Sequence, residues 1–125
     1  IVDWNRKFGF ESATDRLADP RVEVEVADVA NYLRTVERRF DAILLDVDNG
    51  PEAWCLDSNK QLYDVPGLTR IRQALQLGGL LAVWSAEGSS AFEERLVAAG
   101  FSARSEDVNP RGRKRERHTI FLGRA

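Results

Sequence analysis

The sequence is poor in the residues that staple or mark small folds. Its one cysteine, Cys55, excludes an intrachain disulfide, which suits a reducing, cytoplasmic setting and leaves burial and hydrogen bonding to hold the fold. The one histidine, His118, has no second histidine and no triad spacing around it, so a structural role is expected there. No apolar run approaches the roughly 20 residues of a membrane span, and no charged-then-apolar start marks a signal peptide. Neither sign of charge dominates: 20 acidic against 18 basic residues leave a formal net charge of −2. No global field therefore recruits nucleic acid or an anionic membrane. The chain starts at Ile1 rather than methionine, and Ile1, Val2, Trp4 and Phe8 already fall at helical spacing before Gly9. Sequence upstream of Ile1 is expected on that ground.

What is present suffices for one soluble domain spanning residues 1–125, with 43% apolar and 30% charged residues. Arg21 to Ala27 alternates, Val22, Val24 and Val26 against Glu23 and Glu25, which predicts a half-buried edge strand. Asp28 then caps a helix through Val29, Tyr32, Leu33 and Val36 that ends in Arg38-Arg39. Phe40 to Val47 is apolar on consecutive positions, as a central parallel strand covered on both faces would be. Asp48 to Asp64 reads as a long polar loop. A helix is predicted from about Val65 to Leu77, stopped by Gly78-Gly79, then a buried strand Leu80 to Ser85 and a helix capped by Ser89 or Ser90 and closed by Gly100. Phe101 to Val108 and His118 to Leu122 read as two strands of a hairpin. Alternation of this kind gives an α/β fold: a parallel sheet with helices on both faces, finished by an antiparallel strand.

In such open sheets ligands sit outside the carboxyl ends of the strands. Three places qualify: Asp28, the run Asp46-Val47-Asp48-Asn49-Gly50-Pro51, and Ser85-Ala86-Glu87. Asp28 can accept from an exocyclic amine, cap its helix, or do both. Two carboxylates at the mouth of a buried strand can hold a cationic amine, bind a metal or take a proton, and Gly50-Pro51 stiffens the turn beside them.

A family comes into view from several runs together. They are Asp19-Pro20-Arg21-Val22, Ala27-Asp28-Val29 with Tyr32-Leu33, Phe40 to Asp46, Gly50-Pro51, and Leu75-Gln76-Leu77-Gly78-Gly79-Leu80-Leu81. This pattern resembles spermidine synthase and its relatives, polyamine aminopropyltransferases on the fold of S-adenosylmethionine-dependent methyltransferases. The resemblance implies a Rossmann-like, methyltransferase-type sheet lacking its first strands, with the glycine-rich loop upstream of Ile1. It implies Asp28 on the adenine amine with Val29 lining the ring, Pro51 bordering the adenine, and Asp46 as base on the attacking amine. Asp48 and Tyr63 become candidate polyamine contacts. Decarboxylated S-adenosylmethionine or S-adenosylmethionine is the implied co-substrate, none of it tightly bound, and a polyamine the partner substrate. If residues 1–125 are the whole molecule, the missing first strands leave sheet edges exposed, and a homodimer is expected. Only Val47-Asp48-Asn49 separates Asp46 from Gly50-Pro51, a shorter segment than the synthases carry.

Other readings are open to the same residues, the first of them a catalytically silent α/β domain that serves in assembly. Ile43 to Asn49 also resembles the first motif of haloacid-dehalogenase-type phosphatases, but no Asp-Asp pair occurs and only Lys60 and Lys114 follow. A calcium loop fails on spacing after Gly50. The basic run Arg111 to His118 can grip phosphates, form a solvated hairpin loop, or rim an anionic ligand. Trp54 lies in the site loop, where it can cover a base, and Cys55 beside it lacks an activating partner.

Overall fold

A computed structural model describes residues 17, 19–47, 50, 51, 57–109 and 117–125. The described chain runs α1 (Val29–Leu33), β1 (Phe40–Leu45), α2 (Asp57–Tyr63), α3 (Val65–Ala74), β2 (Leu75–Ser85), α4 (Ser90–Ala98), β3 (Ser102–Val108) and β4 (His118–Arg124). The strands form one sheet in the order β1-β2-β4-β3. β1 and β2 are parallel, with Leu45 opposite Val83, while β4 lies antiparallel between β2 and β3. β4 is thus an interior strand, so His118 does not stand on a sheet edge.

Helix starts follow the cap residues. Asp28 accepts from the Asn31 amide at 2.8 Å, Asp64 from Gly67 at 2.7 Å, and Ser89 from Phe92 at 3.0 Å, each satisfying a backbone donor that the first turn leaves unpaired. α1 stops at Leu33, short of the expected Arg39. The Thr35 hydroxyl donates to the Tyr32 carbonyl at 2.8 Å, and Arg38 turns the chain at φ 45°. The backbone amides of Arg38 and Arg39 then donate to the carbonyls of Gln73 and Ala74, which ties the entry of β1 to the end of α3.

One face of the sheet carries the core. Leu45, Leu81, Val83 and Phe121 pack there beneath Leu62, Tyr63, Leu68, Ile71, Phe92 and Leu96 of the helices. Each fully buried leucine or phenylalanine contributes roughly 1.5–3 kcal/mol. Phe92 sits at the centre, edge-on to Tyr63 (centroids 5.9 Å, 83°) and to Phe121 (5.0 Å, 80°). Among the described helices α1 contacts α2 and α3, and α3 contacts α4.

Several expectations change. The edge strand expected at Arg21–Ala27 is not a strand: these residues join no sheet, and Val26 is 84% exposed. Alternation prepares a segment for pairing, but a strand exists only where a second backbone supplies the ladder. For the same reason β1 is an edge strand among the described residues rather than a central one, and Leu44 on its open face is 78% exposed. α3 ends at Ala74, not Leu77, because Leu75 to Gln76 is drawn into β2 with Leu75 opposite Phe40. The polar stretch expected to be loop contains α2. The expected helix at residues 1–8 lies outside the described residues.

Candidate functional site

The register of the sheet places the chemistry. Because β1 and β2 are parallel, Asp46-Val47 leaves the sheet beside Trp84-Ser85, and the antiparallel β4 brings Thr119 opposite Ser85 at the same end. The carboxyl rim therefore collects Asp46, Val47, Gly50, Pro51, Ser85 and Glu87.

The loop leaving β1 is held at two points. Buried Gly50 has φ +107° and lies on the end of β2; a Cβ added there would stand 2.2 Å from Ser85 Oγ and 2.9 Å from its Cα. Only glycine meets both demands, the left-handed backbone and the close approach. Ser85, 3% exposed, is itself fixed by donating to the Glu87 carbonyl at 2.7 Å. The second hold is Tyr63, whose hydroxyl donates to the Val47 carbonyl at 2.9 Å while its ring packs on Phe92.

Just before the held Val47, Asp46 is exposed, and among the described residues no hydrogen bond or ion pair occupies its carboxylate. A carboxylate so placed, on a stem fixed by the strand below and the tyrosine beside it, is open to a cation or an acidic proton. Pro51, next to Gly50, is half-buried.

Asp28 and Val29 stand at the first turn of α1, which packs on α2 and α3. One oxygen of Asp28 is committed to the cap, and the exposed carboxylate keeps its other oxygen for a second donor. Val29 is 36% exposed. Clefts of 340, 250 and 140 Å³ are lined by other residues, so none of them unites Asp28 with Asp46. Tyr63, expected to touch substrate, is 2% exposed with its hydroxyl on the Val47 carbonyl. Asp48, Trp54, Cys55 and most of the basic run 111–118 lie outside the described residues. His118 packs on Trp84 with centroids 4.9 Å apart. Among the described residues no group of three or more histidine, cysteine, aspartate or glutamate side chains is placed to hold a metal, and no helix is long and apolar enough to cross a membrane.

The Tyr63–Val47 bond and the Gly50–Ser85 contact are what sequence reasoning missed. The residues of the first are 16 positions apart, and neither pair bears a periodic relation that a pattern would flag.

Solved structures decide the fold. A spermidine synthase in complex with the transition-state analogue AdoDATO superposes with a TM-score of 0.75 at 18% identity, over 98% of this chain and 42% of that one. The chain has the spermidine synthase fold. The spermidine synthase from Thermotoga maritima matches with a TM-score of 0.70 at 16% identity, over 98% of this chain and 40% of the other. A third match, with a TM-score of 0.51 at 19% identity, covers 70% of this chain and 44% of that one. It is the Burkholderia thailandensis 1,6-didemethyltoxoflavin-N1-methyltransferase with bound 1,6-didemethyltoxoflavin and S-adenosylhomocysteine. The mixed sheet with its helices is accordingly Rossmann-like and methyltransferase-type. The chain spans about two fifths of the length of the spermidine synthase chains it matches. No protein-family model matches the sequence, and no curated protein matches it.

Proposed function

We propose that this chain is part of a spermidine synthase-like transferase that moves an aminopropyl group from decarboxylated S-adenosylmethionine to a polyamine. The observation carrying this reading is the Asp46 carboxylate, unpartnered among the described residues, at the carboxyl rim of a sheet whose fold matches synthases over 98% of the chain. The nucleophile must be a neutral amine, because a protonated nitrogen has no free pair. Asp46 attracts the ammonium and takes its proton. The nitrogen pair then forms the C–N bond to the propyl carbon as the C–S bond breaks, and its electrons leave with sulfur as methylthioadenosine. Asp28 accepts from the adenine amine through the oxygen its cap leaves over, Val29 and Pro51 flank the ring, and Asp48 adds a second charge for the polyamine. Tyr63 acts through Val47 rather than on substrate.

A second reading, methyl transfer from S-adenosylmethionine, draws on the likeness to the methyltransferase that binds S-adenosylhomocysteine. Both readings carry the expectation of a reducing, cytoplasmic setting, and of a homodimer if residues 1–125 are the whole molecule.

Calorimetric titration of the full-length protein with decarboxylated S-adenosylmethionine, S-adenosylmethionine and methylthioadenosine tests the proposal. The first and third should bind; no heat from any of the three removes both readings and leaves an assembly role. Asp28→Asn separates capping from recognition, since asparagine caps as well as aspartate but turns an amide donor toward the adenine amine. Full turnover by Asp46→Asn would refute the base.

A further inference from the structure

The largest of the three clefts lies away from the rim. It measures 340 Å³, within the range of about 300–1,000 Å³ typical of small-molecule sites. Its floor is apolar: Leu33 of α1 and Leu62 of α2 are 5% and 2% exposed. Its walls carry two guanidinium groups from different helices, Arg34 just past α1 and Arg70 on α3.

These two arginines differ from those that are ion-paired. Arg21, Arg39, Arg104 and Arg117 each lie within 4.0 Å of a carboxylate. Among the described residues Arg34 donates only to the Asn31 side-chain oxygen and Arg70 only to that of Gln73, both at 3.1 Å and both neutral amides. Each guanidinium has five N–H donors, so most of each fork is uncommitted. Asp64 also lines the cleft, but its carboxylate caps α3 through the Gly67 amide at 2.7 Å, where the positive end of the helix dipole offsets its charge. The cleft thus combines two arginines that lack a carboxylate partner with buried Leu33 and Leu62, a lining that suits an oxyanion carried on an apolar body.

We infer that the cleft between α1 and the α2–α3 pair binds a small organic oxyanion, a carboxylate or phosphate monoester on an apolar group, through Arg34 and Arg70. None of Asp28, Val29, Asp46 and Pro51 lines this cleft, so the inference is independent of the transferase reading.

Phenyl phosphate, benzoate, inorganic phosphate and neutral benzyl alcohol serve as probes, titrated into the full-length protein at low salt and followed by NMR. Saturable shifts at Leu33, Leu62 and Gly67 with phenyl phosphate or benzoate, weaker with inorganic phosphate and absent with benzyl alcohol, are expected. Arg34→Gln and Arg70→Gln are surface changes that should leave the fold intact and weaken binding by about tenfold each. The inference is overturned if neither phenyl phosphate nor benzoate saturates, if benzyl alcohol binds as well as they do, or if the double variant keeps the original affinity.

Discussion

Tyr63→Phe isolates the hydroxyl that holds the loop leaving β1. The substitution keeps the ring, and with it the edge-on contact to Phe92 at 5.9 Å, and deletes one 2.9 Å hydrogen bond to the Val47 carbonyl. A typical intramolecular hydrogen bond contributes about 1 kcal/mol net, whereas a carbonyl left buried and unpaired costs about 1–3 kcal/mol. Val47 is half-buried, so water can reach its carbonyl once the loop shifts, and the lower figure applies. For a domain of this size that loss lowers Tm by roughly 3–6 °C. Urea unfolding should show a lower midpoint at unchanged slope, since no core surface changes. The specific signature is local: hydrogen exchange should quicken at Val47 and Gly50 while amides of β2 and β4 slow or quicken only with global stability. Phe92→Ala gives the contrasting pattern, a global loss of about 3–5 kcal/mol with no preference for the loop. Unaltered exchange at Val47 and Gly50 in Tyr63→Phe would refute the anchoring role, whatever happens to the midpoint.

Gly50→Ala should destabilise by roughly 1–3 kcal/mol through backbone strain alone, with the Ser85 clash in addition. Ser85→Ala should rescue it only in part, because the Ser85 backbone remains 2.9 Å from the new Cβ; full rescue in denaturant melts would discredit the packing described. Asp64→Ala removes the cap of α3 and should cost about 1 kcal/mol, whereas Asp64→Asn should cost little; equal losses in thermal melts would mean that charge, not the hydrogen bond to Gly67, matters. The Asp19 carboxyl is held below the usual carboxylate range by the Arg21 side chain first and the Arg21 amide second. A depressed folded-state value means that the contact stabilises above the ordinary aspartate pKa and that this contribution is lost as pH falls through the folded one. A carbon-13 titration placing Asp19 at or above the usual carboxylate range would contradict that geometry.

Much of the fold was legible because it is written in local chemistry. Asp28, Ser89 and the glycine at position 100 mark helix ends by what their side chains or missing side chains can do within four residues. The apolar runs at 40–45 and 80–85 mark two strands, though only one face of them is buried, with Leu45, Leu81 and Val83 inside and Leu44 78% exposed, and the alternation of helix and strand implies their parallel pairing. What the sequence could not settle is anything requiring a second surface. Val22 to Val26 has the pattern of a strand, yet pairing depends on a neighbouring backbone, and none of the described strands takes it. Whether β1 is central or peripheral is likewise a property of the sheet, not of Phe40 to Leu45. Tyr63 shows the limit most plainly: its composition fits a substrate contact as well as a structural one. Only the approach of Val47 across the fold, where a buried hydroxyl finds a carbonyl, makes it an anchor. Periodicity carries information about neighbours along the chain, while hydrogen-bond partners and clefts arise from neighbours through space, and those are decided when the layers pack.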